Sequence, residues 1–394
     1  MQIDFHYYAT YCAAIIDGYS HEDSRDIAYS AQFVDCCSRS FLSGIDAPAH
    51  AATTQLQLEL MEARTDIIGL QDITRIWAPF HFLPGDLYAD PDRKCSRVYK
   101  SKYRLICQPN GQLLVDTVEL AKGKGVQAIG LAMHVLADTW AHRNFAGTPS
   151  LVINNMGKDL SELVPCDEGG SWKPIKFNHN PGDVDDPSIG KYTSSIYVGS
   201  ENSIMNLGHG RAGHLPDYSW ARYRYMPAWG DYREIIKDNP TDYMNAFCQL
   251  IYALKYLRGD ISSFETGHYD YDAIAEYKDE IEEMFLKRQI DSSSDWKSFG
   301  ETLSGHEIED FDTNKYQKEY ISADEADKDD TFLGKFILAA LRQKSMVTNR
   351  IFNSGNLVAG ISVDFRSKGL KGIKAFFKLV TDSEKDTEKE ARDD

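Results

Sequence analysis

The sequence predicts a mainly helical chain, and three observations carry that expectation. Amphipathic runs recur along its 394 residues, most clearly from Asp242 to Gly259, where Met244, Phe247, Leu250, Ile251, Leu254 and Leu257 share one face. The run from Gly130 to Phe145 holds good helix and core residues and is closed by Gly147 and Pro149, which end helices. The first forty residues read as a helical hairpin: Tyr7 to Ile16 is helical in pattern, Asp17-Gly18 breaks it, and Ser20-His21-Glu22-Asp23 supplies an N-cap with an acidic first turn.

Taken in order, a second helix over about Asp23 to Ser38 carries Ile27, Ala28, Ala31 and Val34, with Asp35 at the inner end of that apolar stripe. Residues 43–105 are mixed. Within them Pro79-Phe80-His81-Phe82-Leu83-Pro84-Gly85 sets a histidine between aromatics and a proline turn, outside any regular element. Lys102 to Val115 suggests a short hairpin around Asn110-Gly111, after which the central helix begins near Leu114 to Val118 or at Val126. From Ser150 to about Leu207, Gly, Pro, Asp, Asn and Ser dominate with little periodicity, the mark of an irregular insertion that could rim or cover a site. It ends in Gly208-His209-Gly210-Arg211-Ala212-Gly213-His214-Leu215-Pro216-Asp217, where glycines bring the backbone close to whatever the histidines hold. Tyr218 to Tyr225 is aromatic and basic, able to line a groove or to pack.

Further helices are expected over about Ala273 to Ile290 and Thr331 to Phe352, with the acidic, Ser-rich stretch 291–330 between them as a linker or exposed arm. The basic amphipathic piece Lys368 to Lys378 can lie on a membrane surface or pack on the body, packing being preferred, and Thr381 to Asp394 lacks apolar anchors and is expected to be disordered. The domain reading is 1–260 as a helical metal-binding domain with 150–207 inserted, 261–380 as a helical C-terminal extension, and 381–394 as a charged tail.

Composition bounds the partners. With 60 acidic against 43 basic residues and a net charge of -17, general affinity for a nucleic-acid backbone is disfavoured. A phosphate ester is not, because a bound cation reverses the sign locally. No positive start followed by an apolar core and no run of 18 apolar residues appears, so the expected location is cytoplasmic, with a non-classical route of export left open. Seven cysteines, without zinc-ribbon spacing, read as reduced thiols.

One spacing dictates a chemistry. His134, Asp138 and His142 stand at i, i+4 and i+8, so they drift only about 80° around a helix while climbing about 12 Å. Two imidazoles and a carboxylate on one stripe of an apolar helix need partners, and a divalent metal accepts those donors. The alternative is a polar stripe satisfied by backbone and water. Further donors in apolar or glycine-rich settings are Asp4, His6, Asp35, His81, His209, His214 and Asp217, whereas His21, His50, His179, His268 and His306 stand in polar surroundings. That contrast predicts one polynuclear site, without fixing which donor binds which ion.

Gly130-Leu131-Ala132-Met133-His134-Val135-Leu136-Ala137-Asp138 resembles the central GLxxHxxxD helix of the zinc-dependent phospholipase C superfamily, which also holds fungal single-strand nucleases and the heterokaryon-incompatibility (Het-C) proteins. His142-Arg143-Asn144-Phe145 is similar to the histidine and Asn-Phe that follow it there. Pro79-Phe80-His81-Phe82 with Asp90-Pro91-Asp92 resembles the His-Phe segment and its Asp-Pro-Asp, Asp35 matches the metal-bridging aspartate, and His214 with Asp217 resembles the last His-and-acid pair. The match runs over about residues 1–260. It implies an all-α fold, a multi-helix bundle, with two or three zinc ions or other divalent transition metals, and phosphoester hydrolysis by a metal-activated water. Three departures stand out. Secreted members ligate a metal through a freed terminal Trp or His amine, for which Met1 and Gln2 offer no equivalent, leaving Asp4 and His6 as replacements. His142 follows Asp138 by four residues, as in the Het-C proteins, and the last pair is spaced HxxD, so that His209 rivals His214.

The expected activity is therefore that of a metal-dependent phosphoesterase of the phospholipase C type, with Asp35 bridging metals and steering the water. Asp4, His6, His81, His134, Asp138, His142, His209, His214 and Asp217 are the other candidate ligands. The partner expected is a phosphate-ester substrate, phospholipid head groups favoured, with peripheral membrane contact and no long nucleic acid. Two rivals are a nucleotidase or single-strand nuclease that stacks bases on Tyr218 to Tyr225, and a non-catalytic helical module held together by metal.

Overall fold

Gly18, at φ 96°, turns the chain back after its first helix, a left-handed conformation that glycine adopts without steric cost. The computed structural model describes residues 1–56, 58–60, 67–87, 105–149, 151–156, 158–165, 170–178, 184–193, 207–230 and 232–354. A π-helical turn over Asp4–Ala9 leads into α1 (Thr10–Asp17), and the Ser20 hydroxyl accepts the Asp23 N–H to open α2 (His21–Phe33). There follow α3 (Arg39–Gly44), α4 (Ile67–Phe80), α5 (Gln112–Ala121) and α6 (Val126–Ala141). After an inserted sheet the chain returns as α7 (Asn239–Arg258), α8 (Lys278–Leu286), α9 (Ser293–Ser304), α10 (Gln317–Ser322) and α11 (Phe332–Asn353).

Helix α6 is the axis of the bundle. It packs on α2, α4, α5, α7 and α11, and every residue from Gln127 to Ala141 is buried, as an all-round apolar helix requires. Gly130 explains its closeness to α2: a Cβ there would sit 2.2 Å from the Ile27 carbonyl oxygen and 2.6 Å from the Ser30 Cβ. The glycine thus sets the distance between the two helices that flank the site.

The all-α expectation is overturned. The chain is mixed α/β: β1 (Lys158–Val164), β2 (Ser171–Pro174), β5 (Arg222–Met226) and β6 (Ile235–Asp238) form an antiparallel sheet in the order β2-β1-β5-β6, and β3 (Phe177–Asn178) pairs in parallel with β4 (Tyr192–Thr193). The stretch 150–207, expected to be irregular, supplies four of these strands. The reason is legible in β5, where Tyr223 and Tyr225 are buried while Arg222 and Arg224 lie at the half-buried face. The aromatic and basic run is a period-two strand. Phe82, Phe145, Met156, Tyr192, Leu215, Tyr218, Trp220, Tyr223 and Tyr225 form a second core between sheet and bundle.

Two other segments differ from expectation. Residues 291–330 are not an exposed arm: Trp296, Phe299, Ile308 and Tyr320 are buried in the same core as Phe5, Tyr29, Phe285 and Phe336. In place of a hairpin around Asn110-Gly111, Asn110 takes φ 63°, α5 starts at Gln112, and Ile106 bridges to Ala146 while Cys107 bridges to Pro84. No helix among the described residues is long and apolar enough to cross a membrane. The readings made for Asp90-Pro91-Asp92 and for residues 355–394 lie outside the described residues.

Candidate metal centre

Asp138 is the hub of the site. Its side chain is 1% exposed, on the inner face of α6, and each oxygen faces different donors. Oδ2 lies 3.1 Å from His134 Nε2 and 3.2 Å from His81 Nδ1, while Oδ1 lies 3.2 Å from His6 Nε2 and 2.8 Å from the α-amine of Met1. The i, i+4 spacing puts His134 and Asp138 together. His81 arrives from the turn after α4, where its backbone N–H still donates to the Trp77 carbonyl, and His6 from the π-helical turn, its ring stacked on that of His134 at 3.9 Å between centroids.

The second half of the site is carried by the sheet insertion. His142, the residue that ends α6, has Nε2 at 3.2 Å from Asp217 Oδ1, and His209 Nε2 lies 3.6 Å from Asp217 Oδ2. Gly208 permits this arrangement: it takes φ 53°, and a Cβ there would fall 2.2 Å from the Phe82 ring. His209 and Asp217 are therefore held against the His81-Phe82 segment.

Three of the histidines are oriented in the same way. His81 Nε2 donates to the Thr53 carbonyl at 3.0 Å, His142 Nδ1 to the His81 carbonyl at 2.7 Å, and His209 Nδ1 to the Gly213 carbonyl at 2.8 Å. A carbonyl only accepts, so each of those nitrogens carries the ring proton, and the other nitrogen turns its lone pair to the centre. That is how metal-binding imidazoles are commonly aligned. His134 Nδ1 and both nitrogens of His6 are buried without a hydrogen-bond partner.

The donors fall into three groups whose ligating atoms lie within 4.8 Å of one another: His6, His134 and Asp138; Asp35, His81 and His134; His142, His209 and Asp217. Two ligands on one tetrahedral ion, at bonds of about 2.1 Å, are roughly 3.4 Å apart. The separations of 3.1 to 3.7 Å among these facing atoms match that figure. Buried histidines and carboxylates so placed can hold metal ions.

Electrostatics agree with the donor roles. Burial opposes ionisation of Asp138, but His142, the Met1 amine, His134 and His6 outweigh it and hold the carboxyl well below its usual range. Asp217 is likewise held low, burial being overcome by His209, the Met1 amine, His142 and His214. Burial, reinforced by the neighbouring His134, lowers His6 to about 4, and burial lowers His209 to about 4, so both are neutral imidazoles at pH 7.

Of the residues expected from sequence, His6, Asp35, His81, His134, Asp138, His142, His209 and Asp217 are brought together. Asp35 stands at the rim, 3.7 Å from His81 Nδ1 and 32% exposed. His214 is 57% exposed, 3.6 Å from Asp217 Oδ2, and belongs to none of the three groups, so His209 takes the inner place of that pair. Asp4 turns away: its carboxylate accepts from the Ser292 hydroxyl at 2.6 Å and from the Phe5 N–H at 2.8 Å, tying the first turn to the start of α9. The expectation that Met1 offers nothing is also corrected. Its buried α-amine stands 2.8 Å from Asp138, 3.2 Å from His142 Nε2 and 3.4 Å from Asp217, between the two halves of the site. Burial alone would lower its pKa; Asp138 and Asp217 reverse this and raise it to about 10.

No curated protein and no solved structure matches the chain. The model of a family of unknown function, DUF6765, matches residues 1–351, and the chain belongs to that family.

Proposed function

We propose that the chain is a metal-dependent phosphoesterase, with a phospholipase C-like hydrolase as the favoured form and zinc as the favoured metal. The observation that supports this most is the shared orientation of His81, His142 and His209, each fixed by a backbone carbonyl with its free nitrogen facing a buried carboxylate. The resemblance of the GLxxHxxxD helix to that superfamily supports the phosphoester chemistry.

His6, His134 and Asp138 would hold one ion, Asp35, His81 and His134 the neighbouring position, and His142, His209 and Asp217 another. Such ions supply a water of lowered pKa and charge stabilisation for a leaving oxygen. The protein does the rest. Asp138 keeps the donor groups in register, and burial excludes bulk water from them. Asp35 and His214 are the two acid and base side chains of the cluster that reach solvent, so substrate meets them first, and Asp35 is placed to hold a proton of the attacking water.

The nuclease alternative loses its stacking platform, because Tyr218, Trp220, Tyr223 and Tyr225 are buried in the second core. The decisive assay uses zinc-supplemented full-length protein on a chromogenic phosphodiester, phosphatidylcholine vesicles and a mononucleotide. Turnover of the first two, lowered about 100-fold or more in Asp35→Asn, supports the reading. Metal-replete protein that turns over none of the three leaves the non-catalytic, metal-stabilised module in its place.

A further inference from the structure

Away from the metal centre, a cleft of about 400 Å³ opens between α3, α4 and α11. Arg39, Arg75 and Lys344 line it, with Asp72 as the one carboxylate among its lining residues. In a chain of 60 acidic and 43 basic residues, three cations around one cleft run against the overall charge. Asp72 Oδ2 lies 3.6 Å from an Arg39 nitrogen, which leaves an excess of positive charge.

Lys344 is the least ordinary member. Its ammonium donates to the His50 carbonyl at 2.7 Å and the Ala52 carbonyl at 2.5 Å, using two of its three N–H groups. Burial, with Arg39 and Arg75 adding repulsion and Cys37 and Asp72 opposing them, lowers it to about 7. An anion in the cleft would relieve that repulsion, and the volume is that of a small-ligand pocket.

We propose that this cleft binds a phosphate-bearing anion, held by Arg39, Arg75 and Lys344, at a site separate from the metal centre. Guanidinium groups recognise phosphate through paired N–H donors, and the lysine adds a point charge. The source is either a soluble phosphate or the head group of an anionic lipid.

The test uses full-length, metal-loaded protein with two probes: inorganic phosphate by calorimetric titration, and vesicles of phosphatidylcholine with phosphatidic acid by co-sedimentation. The double variant Arg39→Gln/Arg75→Gln is compared with wild type and with Asp35→Asn, which alters only the metal centre. We expect Asp35→Asn to keep the cleft's binding and the double variant to weaken it at least tenfold, with metal content unchanged. Loss confined to phosphate identifies a soluble ligand, and loss confined to vesicles a lipid head group. Should the double variant lose metal or fold, Arg39→Gln alone gives the same comparison, since Arg39 sits on a short helix and is one-third exposed. Binding of both probes by the variant at wild-type strength, or binding of neither by wild type, overturns the proposal.

Discussion

His81 Nδ1 and Asp138 Oδ2 lie 3.2 Å apart although 57 positions separate them in the chain. The pair joins the turn after α4 to the central helix and closes the distance between two of the three donor groups. Its partner on the other side is the Thr53 carbonyl, so His81 is clamped from both ring nitrogens. Substitution at His81 should therefore remove a donor from the centre without unfolding the bundle.

Gly130→Ala should destabilise the protein by about 1–3 kcal/mol, the usual range for an overpacked contact. The new methyl would meet the Ile27 carbonyl at 2.2 Å and push α2 from α6. Gly44→Ala, where nothing lies within 4 Å, is the control and should change stability little. Urea unfolding of both variants decides; equal midpoints would remove the role assigned to Gly130.

Lys237→Met should cost about 3–5 kcal/mol, because it strips a buried cation from a buried carboxylate. Lys237 Nζ donates to Asp242 at 2.5 Å and to the Trp140 carbonyl at 2.9 Å, tying β6 to α7 and to the end of α6. Arg143 remains on Asp242 at 2.8 Å, which limits the loss. A drop in unfolding free energy accompanied by weaker metal retention is the expected result, since the same ties hold the sheet that carries His209 and Asp217.

Stability should fall as pH rises from about 4 to about 7 through Asp17. Burial raises its carboxyl from 3.8 to about 7, with Arg258 opposing at 3.6 Å. The folded state thus binds a proton that the unfolded state releases, so the favourable contribution is full below pH 3.8 and is lost as pH climbs to about 7. Asp17→Asn should flatten this part of the pH profile, and unfolding midpoints at pH 5 and pH 8 compare the two proteins. An unchanged slope would show that the charge of Asp17 is met by partners in the fold.

How much of this could be read from the sequence depends on the range of each interaction. His134, Asp138 and His142 were legible because helical periodicity alone puts them on one side of α6. His81 and Asp35 stood out by their apolar settings, yet only the fold shows that they meet. The sheet was missed because the Arg222 to Met226 alternation spans few residues and sits in a polar stretch, where a two-residue period is hard to tell from a loop. Asp4 and His6, two apart, could not be told apart locally; what separates them is Ser292, which captures Asp4 from 288 positions away. The α-amine of Met1 has no side-chain signature, and the carbonyls of Thr53 and Gly213 that orient His81 and His209 belong to backbone whose place is set by tertiary packing.

Elemental analysis of the full-length protein, purified without a metal-binding tag and compared with His81→Ala, tests the central claim most directly. Convergent donors of this number should retain about two to three divalent ions per chain, zinc above all, with at least one lost in the variant. Wild-type protein that holds less than about one-tenth of an ion per chain after zinc supplementation and desalting, while folded, would contradict it.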